Sequence, residues 1–429
     1  MPPSTLTPTV SLDQQFCLAP KAIYFAIGIL NYSFYVFRMR FFTEYFGFGE
    51  DQYGIVQTFW NVFSFAGVTL WSNLADWTSL HKGLLVGLCL SMGICFEGVL
   101  FKGLVAPEKW IYLAVAVFAL YGLLIGGLLP LADDQILRLL ERRYEQCSKQ
   151  YGRQALFGMV AYGLISFSLG KLLDRCGASA MIWIVPSSAI FAAVMVACFG
   201  YGRMSAKRSS INQQWNHPES SEANVGFFKY LETLGQRNFL LFLLVILASG
   251  FGRQTLAIFL PNYLSEELGL SSGQVGNAYL MGTMFSVLFY FAAPYALSHL
   301  GIWPMLLIGQ LSLVARLASY AFLTPTPSMV PFIELLNGMA YSFTHLAAVQ
   351  QVSLSAPPGW DAAFQAAYGC AHVQFPAVVC SLVGGYIYKY YRGRWLLTVA
   401  LTTPVMSSIA LTIFLILRVA RRRTCNLQS

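Results

Sequence analysis

Twelve apolar stretches, each about as long as a bilayer core is thick, follow one another along this 429-residue chain. A hydrocarbon core about 30 Å thick takes roughly 20 apolar residues wound as a helix. The predicted spans are 21–41, 52–74, 83–101, 110–132, 155–173, 179–200, 238–262, 276–297, 303–323, 330–352, 362–388 and 395–418. Only 11% of residues are charged, 56% are hydrophobic, and the mean hydropathy is +0.58. A typical soluble domain carries about 25% charged residues. The composition therefore excludes a soluble enzyme, a disordered chain and a disulfide scaffold. The runs are continuous rather than alternating, which excludes a membrane β-barrel. The fold class is all-α and polytopic, with 12 transmembrane helices.

The longest polar stretch, 201–236, falls at the middle. It divides the chain into a six-helix bundle over 1–200 and a second over 237–429, joined by a tether too short for a domain. The first run, 21–41, has no small-residue cleavage site after it and reads as the first span. Positive charge sets the orientation. With the N-terminus inside, 16 of the 27 Lys and Arg fall on the inner side, 9 on the outer, and Arg253 and Arg316 inside spans. Both termini are then cytoplasmic, as an even helix count requires, and the plasma membrane is the expected location. The tail Arg421-Arg422-Arg423 suits anionic lipid headgroups.

An internal repeat supports two halves. A shift of 222 aligns Gly28, Phe37, Glu44, Gly47, Gln52, Gly54, Phe63 and Ser64 with identical residues from Gly250 to Ser286, 8 matches in 37 ungapped positions. A second echo pairs Gln154-Ala155-Leu156-Phe157-Gly158 with Gln365-Ala366-Ala367-Tyr368-Gly369. Such parallel repeats build two bundles related by an axis along the membrane normal.

Leu74-Ala75-Asp76 after the second span, with the two-half layout, resembles the major facilitator superfamily. Pro130-Leu131-Ala132-Asp133, Tyr151-Gly152-Arg153-Gln154, and Gly170 with Leu173-Asp174-Arg175 resemble the first half of its branch of lactose-permease-like and nucleoside–proton-symporter-like carriers. Glu334 to Gly338, His345 to Ala348, and Gly384-Gly385-Tyr386-Ile387-Tyr388 resemble the second half. The resemblance implies two pseudo-symmetric six-helix bundles that rock about a midplane site, and symport of a solute with protons. The sequence departs from the superfamily after Asp76: Trp77 follows it, and Lys82 stands where a basic cluster is usual.

Ionisable groups inside a bilayer cost roughly 2.5–3.5 kcal/mol each on insertion scales, so each is a functional candidate. Glu334, Tyr341 and His345 lie within about 40° of one another at ~100° per residue. A carboxylate and an imidazole on one face can pass protons. The competing reading is a structural ion pair of Glu334 with Arg316 on the preceding helix. Glu97, five residues before Lys102, is either a second proton site or a group near outer water. Asn31, Tyr35 and Arg38 share a face of the first helix, with Arg38 either functional or snorkelling outward.

Under the 222 shift Asn31 meets Arg253, and the resemblance places both on cavity-lining helices. The Arg253 fork suits a carboxylate, a phosphate or sugar hydroxyls. Tyr35 and Tyr368 could stack on a flat or sugar-like solute. Asp76, Asp133 and Arg153 are gating candidates; an Asp133–Arg153 pair at the cytoplasmic mouth could break and reform, or be a static pair. Gly122-x-x-x-Gly126 predicts close helix packing.

No P-loop, GxSxG or HExxH occurs, so the chain is not read as an enzyme. No cofactor is expected. Nine scattered cysteines without a CxxC predict no metal site, and Cys89, Cys95, Cys198, Cys370 and Cys380 are expected in cores. The +8 net charge forms no basic, aromatic-interleaved stripe, so no nucleic-acid partner is expected. The expected partners are a small-molecule solute (sugar, nucleoside or organic acid), protons and the lipid bilayer, with the chain acting as a monomer. The sequence thus predicts a proton-coupled secondary transporter. The alternative is a non-transporting receptor or scaffold on the same fold.

Overall fold

The computed structural model describes residues 17–143, 151–199, 237–357 and 361–428; the predicted tether 201–236 lies outside them. All twelve predicted helices are present among the described residues. The first half holds α1 (Leu18–Tyr32, resuming at Arg38–Phe41), α2 (Glu50–Thr78), α3 (His81–Glu97), α4 (Trp110–Arg143), α5 (Tyr151–Cys176) and α6 (Met181–Phe199). The second holds α7 (Arg237–Asn262), α8 (Ser272–Leu300), α9 (Ile302–Phe322), α10 (Val330–Ser355), α11 (361–391) and α12 (393–428). Helices α3 to α9 and the α11–α12 segment are long and apolar enough to cross a bilayer by length and composition. The others are the broken α1 and the more polar α2 and α10.

Three boundaries differ from expectation. Helix α1 opens at 33–37, where the Ser33 hydroxyl donates to the Leu30 carbonyl and competes with the helical ladder. Helix α4 runs past 132 to Arg143, so Asp133 and Asp134 lie inside it and not at its end. Between α11 and α12 only Arg392 breaks helical geometry, at φ 72°.

The internal repeat is visible in the backbone. Both α1 and α7 finish in a five-residue π-helix, Phe42–Phe46 and Tyr263–Glu267. A left-handed glycine follows each, Gly47 at φ 75° and Gly269 at φ 69°. Gln52 and Gln274 then close equivalent capping boxes, accepting from the Gly49 and Ser271 amides. A glutamate from each π-helix also accepts an amide near the start of the last helix of its own half: Glu44 from Ala178, Glu267 from Gly393.

Within the first half, Phe34, Phe42, Phe96 and Phe118 form an aromatic core with Trp60 and Tyr121. Gly122 and Gly126 let α4 lie against the α2 backbone at Trp60 and Ser64, as the spacing predicted. Cys89 and Cys380 are buried, but Cys198 and Cys370 are exposed, because an apolar run does not separate a lipid-facing position from a core one. Cys17 is disulfide-bonded, which the scattered spacing did not suggest.

The halves meet along two equivalent seams, α2 with α11 and α5 with α8. Gly54 lies against the Ser381 carbonyl and Gly385 against that of Glu50. In the other seam Gly276 lies against the Ser166 carbonyl and Gly170 against that of Ser272. The close approaches and hydrogen bonds across these seams involve 50–61 of α2 and 272–283 of α8. These are the halves of the helices farther from the chain termini. Among the described residues, 62–78 of α2 and 284–300 of α8 make no hydrogen bond to the other bundle. By these contacts the bundles are closed on the face away from the termini and, among the described residues, parted on the terminal face.

Candidate functional site: the cleft between the bundles

Arg253 sits midway along α7, in a stretch where Gly250 removes the side chain between α7 and α11. A Cβ there would lie 2.6 Å from the His372 carbonyl oxygen. The Arg253 guanidinium lies over the Tyr341 ring, 4.5 Å from its centroid. Among the described residues it has no carboxylate within ion-pair distance. Tyr341 stacks on His345 of the same helix at 5.5 Å. The His345 Nδ1 is 2.9 Å from the Tyr368 hydroxyl of α11. Tyr290 of α8 closes the group against Tyr341 and His345. Arg253, Tyr290, Tyr341 and His345 are each only partly buried.

The facing wall comes from the first half. Asn31 on α1 and Tyr35 in its 33–37 opening are half-buried. Tyr32 and Tyr35 pack on Tyr162 of α5 at 4.5 and 6.2 Å. Tyr162 in turn meets Tyr279 of α8 at 6.1 Å. Arg38 does not snorkel. It is 4% exposed, donates from Nε to the Tyr53 hydroxyl at 2.9 Å, and reaches the Ala257 carbonyl of α7 at 3.4 Å. Its guanidinium lies over Tyr35 at 4.7 Å.

Glu334 and Arg316 form the pair that stood as the competing reading. Arg316 donates from Nε and Nη2 to the two carboxylate oxygens at 3.1 and 2.7 Å, and from Nη1 to Asn337. The Tyr320 hydroxyl also donates to Glu334 at 2.8 Å. Glu334 is 1% exposed. The sequence put Glu334 and His345 on one stripe. The structure gives them different partners, Arg316 on α9 for one and Tyr368 on α11 for the other.

The remaining candidates lie away from this cleft. Glu97 ends α3, and Lys102 turns from it to the Tyr45 carbonyl and the Trp110 ring. Asp76 is exposed near the end of α2 and makes no hydrogen bond or ion pair among the described residues; neighbouring Trp77 is 85% exposed. Asp133 accepts the Tyr24 hydroxyl at 2.6 Å, and Asp134 faces His81 at 2.9 Å. The Arg153 side chain lies outside the described residues, and with it the proposed Asp133–Arg153 gate.

Several residues were missed by sequence reasoning. His372 stacks on Tyr368 at 5.5 Å and is fully enclosed; its spacing of four from Tyr368 was a usable signal. Asp174, Lys389 and Asp51 link the bundles on the closed face. Asp174 accepts from the Ser272 and Gly273 amides at 2.8 Å each, and Lys389 donates to Asp51 at 2.8 Å. Beside Asp174, a cavity of about 310 Å³ opens between the bundles, lined in part by Arg40, Glu44, Asn262 and Glu266.

The profile of the family described as MFS_1 like family matches residues 28–399. Over 348 residues the chain is 21% identical to the uncharacterized transporter YwbF of Bacillus subtilis (strain 168), covering 79% of this chain and 78% of the relative. Over 365 residues it is 23% identical to a maltose permease of Geobacillus stearothermophilus, covering 85% of each. The solved structure of the nucleoside transporter NupG superposes with a TM-score of 0.74 at 14% identity, over 92% of this chain and 98% of that one.

Proposed function

The chain belongs to the MFS_1 like family, a multi-pass membrane fold of transporters, and from that premise we propose that it carries a small polar organic solute through the cleft by proton-coupled alternating access. The observation that carries this reading is the cleft itself: polar, lined from both bundles, closed on one face and parted on the other. A static scaffold gains nothing from Arg253, His345 and a buried Glu334–Arg316 pair at membrane depth, where each charge is costly.

In this reading the solute sits between Asn31 and Tyr35 on one side and Arg253 and Tyr368 on the other. Glu334 is the proton site. Protonation removes its charge and loosens the two-pronged grip of Arg316, leaving Arg316 to Asn337. His345, hydrogen-bonded to Tyr368, couples the solute wall to the same helix. Asp76 belongs to the parted face and meets a partner when that face closes, and Asp133, which accepts the Tyr24 hydroxyl, lies on the same face. The parted face is cytoplasmic by the charge bias, with both termini there.

The test separates exchange from accumulation. In proteoliposomes, Glu334→Gln retains counterflow of the solute and loses accumulation driven by a proton gradient. Accumulation at the wild-type level by that variant removes Glu334 from the coupling.

A further inference from the structure

We propose that the solute is an organic anion, a carboxylate on a planar ring, with its negative charge held at Arg253. This deepens the transport reading above and rests on it. The argument is a charge balance at membrane depth. Among the cleft residues described above, four carry a fixed charge: Arg38, Arg253, Arg316 and Glu334. Arg316 and Glu334 neutralise one another through two contacts.

The other two arginines have no acid among the described residues. Arg38 is satisfied by the Tyr53 hydroxyl, the Ala257 carbonyl and the Tyr35 ring. Among the described residues Arg253 has only the Tyr341 ring face. Among the described residues the cleft therefore carries about two positive charges with no carboxylate paired to them. Ala257 is one turn along α7 from Arg253, so the two cations sit at successive turns and their fields add.

A low-dielectric wall strengthens attraction for an anion. A guanidinium presents a planar fork that takes both oxygens of a carboxylate. A neutral sugar or nucleoside would leave that charge unbalanced, and an organic cation would be repelled. The rings choose the body of the solute. Tyr341 already occupies one face of the guanidinium, His345 stacks on Tyr341, and the tilted rings of Tyr290 and Tyr368 flank that stack. These offer ring-on-ring contact of the kind aromatic pairs prefer.

The probes are matched pairs that differ in charge and little in shape: benzoate against benzamide, and nicotinate against nicotinamide. Maltose and uridine represent neutral solutes. Ligand-induced thermal stabilisation and counterflow are measured on the full chain, with Arg253→Gln and Arg253→Lys alongside. The unliganded melting point of each variant checks that it is folded. The expected result is binding of at least one carboxylate, at least tenfold weaker binding of its amide, and at least tenfold loss in Arg253→Gln with partial retention in Arg253→Lys.

Counterflow of maltose or uridine, unchanged by Arg253→Gln, overturns the anion assignment and leaves the transport reading standing. Equal binding of acid and amide overturns it as well. Failure of the wild-type chain to bind either carboxylate also overturns it.

Discussion

Arg316 holds both carboxylate oxygens of Glu334, at 3.1 and 2.7 Å, where the carboxylate is 1% exposed. Breaking such a pair by removing one partner typically costs about 3–5 kcal/mol, because the other charge is left buried and alone. Replacing both is far milder. Arg316→Leu should therefore lower the melting temperature in detergent more than the Arg316→Leu/Glu334→Leu double variant does. A double variant no more stable than the single would show that the pair is not what matters at this position.

The seam glycines should govern which face is open. A Cβ at Gly54 or Gly276 would press on the carbonyl oxygen of Ser381 or Ser166, closer than Cβ atoms approach anything. Gly54→Leu and Gly276→Leu are expected to part the closed face. Spin labels at the loop ends of α5 and α8 would report a longer distance in Gly276→Leu, with a folded, monodisperse protein. An unchanged distance distribution would show that the seam yields locally instead.

Asp174 seals the α5–α8 seam by accepting two amides at the start of α8, where the helix dipole favours a negative charge. Asp174→Asn removes the charge and one acceptor. Its expected effect is a shift toward the conformation open on that face, read as faster alkylation of a cysteine placed at Ser265 on the wall of the 310 Å³ cavity. Unaltered alkylation would exclude a latch at Asp174.

At the equivalent place on the other seam, Asp51 pairs with Lys389. Desolvation would raise the Asp51 carboxyl, but the hydrogen bond and charge of Lys389 outweigh it and hold the carboxyl below its ordinary value. The sign follows. A depressed carboxylate contributes fully above the unfolded value of about 4 and loses its contribution as pH falls through the folded value. Melting temperature should therefore fall below about pH 4 less steeply in Lys389→Met than in wild type. Parallel acid profiles would mean the pair adds nothing.

The sequence made the architecture legible because membrane depth sets helix length and charge is scarce enough to count. The twelve helices follow from that, and the 222-residue repeat from shared residues; the predicted tether lies outside the described residues. The candidate residues were legible as polar groups and less so in their pairing. Glu334, His345, Arg253 and Tyr368 could be picked out as polar groups where none should be. Helical spacing put Glu334 with His345, yet their partners come from α9 and α11, and the crossing of three helices is not a one-dimensional property. Arg38 near a helix end resembled a snorkelling cation because nothing local records that α7 lies across its path. The Asp174 and Lys389 links were missed because their partners, too, come from the other bundle.

Proton movement on solute addition is the decisive observable. Proteoliposomes holding the full chain and a lumenal pH dye, given benzoate or nicotinate without an imposed gradient, should acidify inside more than protein-free liposomes, with the excess absent in Glu334→Gln. No protein-dependent acidification with either acid, nor with maltose or uridine, would contradict proton-coupled transport through this cleft.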